Sequence, residues 1–206
     1  MPITVLLTIL SWSGKVGSLD MLRKLQESGG SPKAIVELAI QAAGIERYQE
    51  AIELWKQALA YNPESALAWF NLGYAQICLG HYDQAFDATK RSLELQRDYR
   101  EARANLALIE TLRGRHLAAL EILGPRDGNG EEYVMFDLIR AVAYCCSHNP
   151  ERGGALFRGV VDRQIEFGKF IETTVRHLRQ SGRGHDADAV VAVAREAGCC
   201  VAESMS

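Results

Sequence analysis

The sequence lacks a strong charge bias. Its 206 residues hold 23 Lys and Arg against 26 Asp and Glu, a formal net charge of −3, and the pI is 6.0. A general nucleic-acid binder would carry a basic excess or a basic stripe, so that class is not expected. The most basic stretch, RHLRQSGRGHD (Arg176 to Asp186), reads as a solvated helix end and turn, with Asp188 close behind. Long apolar runs are missing too. The N-terminal run Ile3 to Leu10 falls far below the ~20 residues of a membrane-spanning helix. It has no Lys or Arg ahead of it and no small-x-small cleavage site behind it. Residues 1–31 are therefore read as an apolar and capping helical segment, with a helix over Ser18 to Gly30 stopped by Gly29 and Gly30. A cytoplasmic protein is expected, and export through an atypical N-terminal signal is the lesser alternative.

Cysteine is sparse and badly spaced for cross-linking. Cys78, Cys145, Cys146, Cys199 and Cys200 are odd in number and include two adjacent pairs, and no Asn-x-Ser/Thr sequon occurs. A reducing, intracellular setting follows. Catalytic groupings are absent as well: there is no Ser/His/Asp set, and RDGNGEE lacks the Lys-Ser/Thr of a phosphate loop. Adjacent cysteines on a helix point ~100° apart, so CCSH (Cys145 to His148) does not offer the chelating pair of a C-x2-C turn. Cys145 and Cys146 read instead as small buried side chains. GHDAD (Gly184 to Asp188) reads as a helix start capped by Asp186, with Asp188 in the first turn. HNPER reads as a turn in which Asn149 caps and Pro150 opens the next helix. No enzyme, cofactor or metal site is expected.

What is present is repetition. Ala51, Ala85, Ala119 and Gly153 stand 34 residues apart, as do Ala39, Gly73, Ala107 and Ala141. Leu38, Leu72 and Leu106 keep the same step, which brings Arg140 to the fourth place. Small residues at two places per unit mark two helices crossing closely, and Ile52, Trp55, Ala58 and Leu59 give one helix an apolar face. Gly80, Gly114 and Pro63 stop helices, and Ser65 caps one. Each unit is helix, turn, helix, and such hairpins must stack to bury their apolar faces. The second helix of the third unit, LAALEIL, is cut short by GPRDGNGEE. The last unit, with Ala189 at the packing place, is offset by 36 from Gly153, which implies two inserted residues.

The unit resembles the tetratricopeptide repeat, whose pattern is W-x2-L-G-x2-Y, then Ala, an aromatic and Pro. Residues 66–99 keep Trp69, Leu72, Gly73 and Ala85, and residues 32–65 keep Leu38, Ala51 and Pro63 with Trp55 at the aromatic place. The resemblance implies an all-α, right-handed helical-repeat solenoid of about five units. Residues 32–133 would hold three repeats, residues 134–200 two degenerate ones, and residues 201–206 a tail.

The resemblance also implies a protein–protein interaction module whose first helices line a groove for a peptide or helix. By position the groove residues are Val36 and Ile40, then Phe70, Asn71, Tyr74 and Ile77. Ala104, Leu108 and Leu112 follow, then Met135, Leu138 and Val142. Two placements stand for these side chains: an exposed apolar groove, or core packed against adjacent helices. The subgroup that clamps a free carboxylate needs Lys, Asn and Arg in the groove. Asn71 matches, but Val36, Ile40, Glu101 and Asn105 do not. The expected function is a non-catalytic scaffold or chaperone-like adaptor that binds an apolar or amphipathic segment of a protein partner. The alternative is a self-associating or redox- or metal-responsive regulator, using the N-terminal apolar run or Cys199 and Cys200.

Overall fold

The computed structural model of the protein describes residues 30–125, 134–162 and 167–199. Among them are ten helices and no strand: α1 (Pro32–Gly44), α2 (Tyr48–Tyr61), α3 (Ala66–Cys78), α4 (Tyr82–Leu95) and α5 (Arg100–Leu112), then α6 (His116–Leu123), α7 (Val134–Cys146), α8 (Pro150–Val161), α9 (Gly168–Gln180) and α10 (Gly184–Glu196). The first helices of the five hairpins begin at 32, 66, 100, 134 and 168, and the second helices at 48, 82, 116, 150 and 184. The step of 34 never breaks. This corrects the two inserted residues expected in the last unit. Ala187, fully buried, holds the packing place there, while Ala189 is half-buried.

The period is written in the turns. Glu46, Gly80, Gly114, His148 and Gly182 share one register place, and all have positive φ, from 58° to 82°. In each turn the next backbone N–H reaches a carbonyl five residues back, as Arg47 does to Ala42 at 2.9 Å and Arg183 does to Leu178 at 2.8 Å. That satisfies carbonyls at the end of each first helix. Ser65 Oγ accepts from the Ala68 N–H at 3.2 Å, and Asn149 Oδ1 from the Arg152 N–H at 3.4 Å, both as the sequence predicts. Asp186 does not cap α10. It lies in the first turn, and Arg183 holds the capping place.

Two small-residue places bring the helices of each hairpin together. A Cβ on Gly73 would stand 2.4 Å from Thr89 Oγ1, and one on Gly153 would stand 2.6 Å from Cys145 Sγ and 3.0 Å from the Ala141 carbonyl oxygen. A side chain at either place would force its neighbour to shift, so glycine is favoured there by packing rather than by backbone freedom.

The chain forms two compact units, one ending at Arg97 and the other beginning at Asp98. In the first, α2 packs between α1 and α3, and α4 packs on α3. Its core includes Ile35, Leu38, Leu54, Trp55 and Leu72. In the second, Ala104 and Ala107 of α5, Ala119 and Leu123 of α6, and Phe136 and Ile139 of α7 share a core.

α6 has only eight residues, against 14 in α2 and α4. Its truncated end is closed by Arg140, whose Nη2 donates to the carbonyl oxygens of Leu123, Gly124 and Pro125 at 3.2, 2.9 and 3.3 Å. Arg140 is itself buried, and Nη1 pairs with Asp137 Oδ1 at 3.6 Å. The arginine at a leucine place thus answers the shortened helix before it.

Candidate interaction surface

In the first unit, α3 carries no charged residue, yet it exposes Leu67 and Tyr74. Phe70 and Asn71 are half-buried on the same stripe, since residues three, four and seven apart share a helix face. Asn71 Nδ2 donates to the Leu67 carbonyl oxygen at 2.9 Å. On α1, Ile40 is exposed and Val36 is half-buried against the core. Ile77 is 4% exposed. This corrects its expected place in the groove: its position on α3 turns it into the core.

Tyr74 is held by neighbours. Its ring meets Tyr48 edge-on, centroids 6.3 Å apart, and the two hydroxyls and the Cys78 thiol hydrogen-bond to one another. Burial pushes all three groups above their ordinary pKa values, with mutual proximity adding to it for the tyrosines. The thiol stays protonated at neutral pH and is no nucleophile. The cluster orients a ring.

The second unit differs. Ile40, Tyr74, Leu108 and Val142 occupy one register place in four successive hairpins. Ile40 is 54% exposed and Tyr74 43%, Leu108 is half-buried against the core, and Val142 is 0% exposed. Leu138, Ala104 and Leu112 are buried too, and Met135 packs on the core. The expectation that Leu138 and Val142 line an open groove is therefore corrected.

The cover is the last hairpin, which docks the other way round from its predecessors. Its second helix, α10, packs on α7 and α8, while its first helix, α9, reaches α5. Phe170 of α9 lies against the α5–α6–α7 core, and Phe167 stacks on Phe157 at 5.7 Å. Arg183, in the turn between α9 and α10, fastens the arrangement. It donates through Nη1 to the Thr111 carbonyl oxygen, through Nη2 to His116 Nε2 at 2.9 Å, and through Nε to Asp186 Oδ2 at 2.8 Å. A guanidinium only donates, so His116 accepts at Nε2 and is neutral. Burial, then the Arg183 charge, lowers its pKa from the ordinary value.

Sequence reasoning placed Arg140 in the leucine register without finding its role, and it missed that of Arg183. Arg140 carried a signal, a charge at a core register place; Arg183 carried none, since it stands among other basic residues at a turn.

Cys145 and Cys146 are buried as expected, and burial pushes both thiols up to about 12. Cys199 is half-buried. Among the described residues no group of three or more His, Cys, Asp or Glu side chains is placed to hold a metal ion. No described helix is long and apolar enough to cross a membrane. The N-terminal run, the helix expected over Ser18 to Gly30 (apart from Gly30), Cys200 and residues 201–206 lie outside the described residues.

Comparison with known proteins agrees with this geometry. A family model described as TPR repeat matches residues 45–77, and one described as tetratricopeptide repeat matches residues 66–99. This is a tetratricopeptide-repeat protein. Its fold is the all-α helical repeat of the solenoid class, a protein–protein interaction scaffold. A thermophilic TPR protein from Thermus thermophilus superposes with a TM-score of 0.60 at 20% identity, covering 81% of this chain and 91% of that one. PilW, a type IV pilus biogenesis factor, gives 0.59 at 17% identity over 81% and 77% of the two chains. YrrB, a TPR protein with an unusual peptide-binding site, gives 0.56 at 12% identity over 86% and 91%. In sequence, the chain is 34% identical over 103 residues to the human protein O-mannosyl-transferase TMTC1. That match takes in 48% of this chain and spans only 12% of the length of that relative.

Proposed function

We propose that the tetratricopeptide repeats of the first unit bind a peptide or amphipathic helix on the α1 and α3 face. The protein acts as a non-catalytic scaffold or chaperone-like adaptor in a reducing, cytoplasmic setting. One observation carries the reading: α3 has no charge in 13 residues, yet it presents Leu67 and Tyr74 to solvent, with Ile40 exposed at the equivalent register place of α1. Apolar surface of this kind is kept where a partner covers it. The Tyr48–Tyr74–Cys78 cluster pre-orients the aromatic anchor, which lowers the ordering cost of binding. Asn71, with its Nδ2 tied to its own helix, offers Oδ1 to a partner's backbone N–H. The partner is an apolar or amphipathic segment rather than an acidic tail, because Val36 and Ile40 stand where a carboxylate clamp would carry Lys and Asn.

The test is a peptide-display selection against the full chain, with the selected peptides titrated on wild type and on Ile40→Glu/Tyr74→Glu. Circular dichroism checks the helix content of the variant. Affinity should fall at least about tenfold, equivalent to about 1.4 kcal/mol. Equal affinity for the variant removes this face as the site.

A further inference from the structure

The register place shared by Ile40, Tyr74, Leu108 and Val142 goes from exposed to fully buried along the chain. The same side of α5 and α7 that is apolar and open in α1 and α3 is shut in the second unit by a hairpin of the protein itself. We propose that the α9–α10 hairpin is a built-in ligand of the second unit: it undocks as one piece and opens the α5 and α7 face to an amphipathic helix of α9's own chemistry. The partner half of the proposal rests on the reading that this face of the repeats is the binding face.

Three observations support it. The docking is reversed, with α10 on α7 and α8 and with α9 reaching α5, so the hairpin lies across its neighbours instead of extending the stack. A polar attachment is made by Arg183, at the tip of the hairpin, which grips the α5–α6 turn through the Thr111 carbonyl oxygen and His116. Finally, α9 has the make-up of a groove ligand: Phe170, Ile171, Val175 and Leu178 are turned inward, and Lys169, Arg176 and Arg179 face solvent. In α9 the register place of Val142 is held by the exposed Arg176.

The chain contains its own reporter. Cys145 and Cys146 are adjacent on α7 and equally buried, but they point ~100° apart. Cys145 Sγ packs where α8 passes, at Gly153. Cys146 is hydrogen-bonded to Arg183 and lies near Asp186, at the docked hairpin. Undocking therefore bares Cys146 and leaves Cys145 covered.

The experiment is maleimide labelling of the full-length native protein, with fragment-ion mapping to separate the two adjacent cysteines. It compares wild type, Arg183→Gln and Phe170→Ala, with Cys78 labelling and circular dichroism as controls on the first unit and on overall helix content. In both variants Cys146 should label at least tenfold faster than in wild type, with Cys145 and Cys78 unchanged. A labelled peptide of residues 167–180 should bind the variants at least tenfold more tightly than wild type. Cys146 and Cys145 labelling at one common rate in all three proteins overturns the proposal, since the hairpin then opens only with the whole unit. Faster Cys146 labelling with no gain in peptide binding overturns the partner half. Neither readout depends on Ile40 or Tyr74, so the first-unit site and this one fail separately.

Discussion

Replacing Arg140 by leucine would put back the residue that the register carries at Leu38, Leu72 and Leu106, and repeat consensus alone predicts a gain in stability. The geometry predicts a loss. Arg140 is 3% exposed, and its guanidinium sits against three carbonyl oxygens at the end of α6 and against Asp137. Without it, Asp137, which is 1% exposed, loses the Arg140 charge. Breaking a buried pair from one side costs about 3–5 kcal/mol. Carbonyls deprived of their donor add about 1 kcal/mol, and a buried leucine returns about 2 kcal/mol. The net loss is about 3 kcal/mol, which lowers a urea midpoint by roughly 1.5 M at a slope of about 2 kcal/mol/M. Urea unfolding followed by circular dichroism measures it. Arg140→Leu/Asp137→Leu removes both charges and should regain about 2 kcal/mol, because a buried pair replaced from both sides is close to neutral. If Arg140→Leu unfolds at or above the wild-type midpoint, the arginine does not close α6 and the reasoning fails.

Two further outcomes follow from the same structure. Glu46 and His148 hold the left-handed place that glycine fills in the other three turns, so Glu46→Gly and His148→Gly should each stabilise by about 0.5–1 kcal/mol in urea titrations; a loss at both sites would deny that the turns share one strain. Burial lowers the pKa of both His116 and His177, aided by Arg183 and Arg176 respectively. The unfolded chain then binds more protons below about pH 6.5. Stability is complete above that value and is lost as the pH falls through the depressed values. The urea midpoint should drop between pH 7.5 and 5.5, and His116→Gln/His177→Gln should flatten the profile; a flat wild-type profile contradicts the burial of neutral imidazoles.

Much of the architecture is legible in the sequence because it is local. A helix stop needs a residue that tolerates positive φ, a cap needs Ser or Asn, and a close crossing needs Gly or Ala. These demands fall on single positions, and Gly80, Gly114, Ser65, Asn149, Gly73 and Gly153 show them. The last unit misled at Ala189 because its neighbour Ala187 is also small, and composition alone does not choose between two alanines. The groove was less legible. Ile40 and Val142 are both aliphatic and hold the same register place, yet one is exposed and the other buried.

The 34-residue step, the helix–turn–helix unit, the ends of the helices and the shortened α6 were determined by the sequence itself, since each depends on residues a few places apart. Which apolar faces stay open was decided only by the tertiary structure. Hydrophobic patterning says that a face avoids water, but apolar burial has no direction, so the pattern is the same whether a partner, a neighbouring helix or the chain's own last hairpin lies over it. In the second unit that choice was settled by Phe170 and Arg183, 62 and 72 residues beyond the Leu108 and Thr111 that they help to cover.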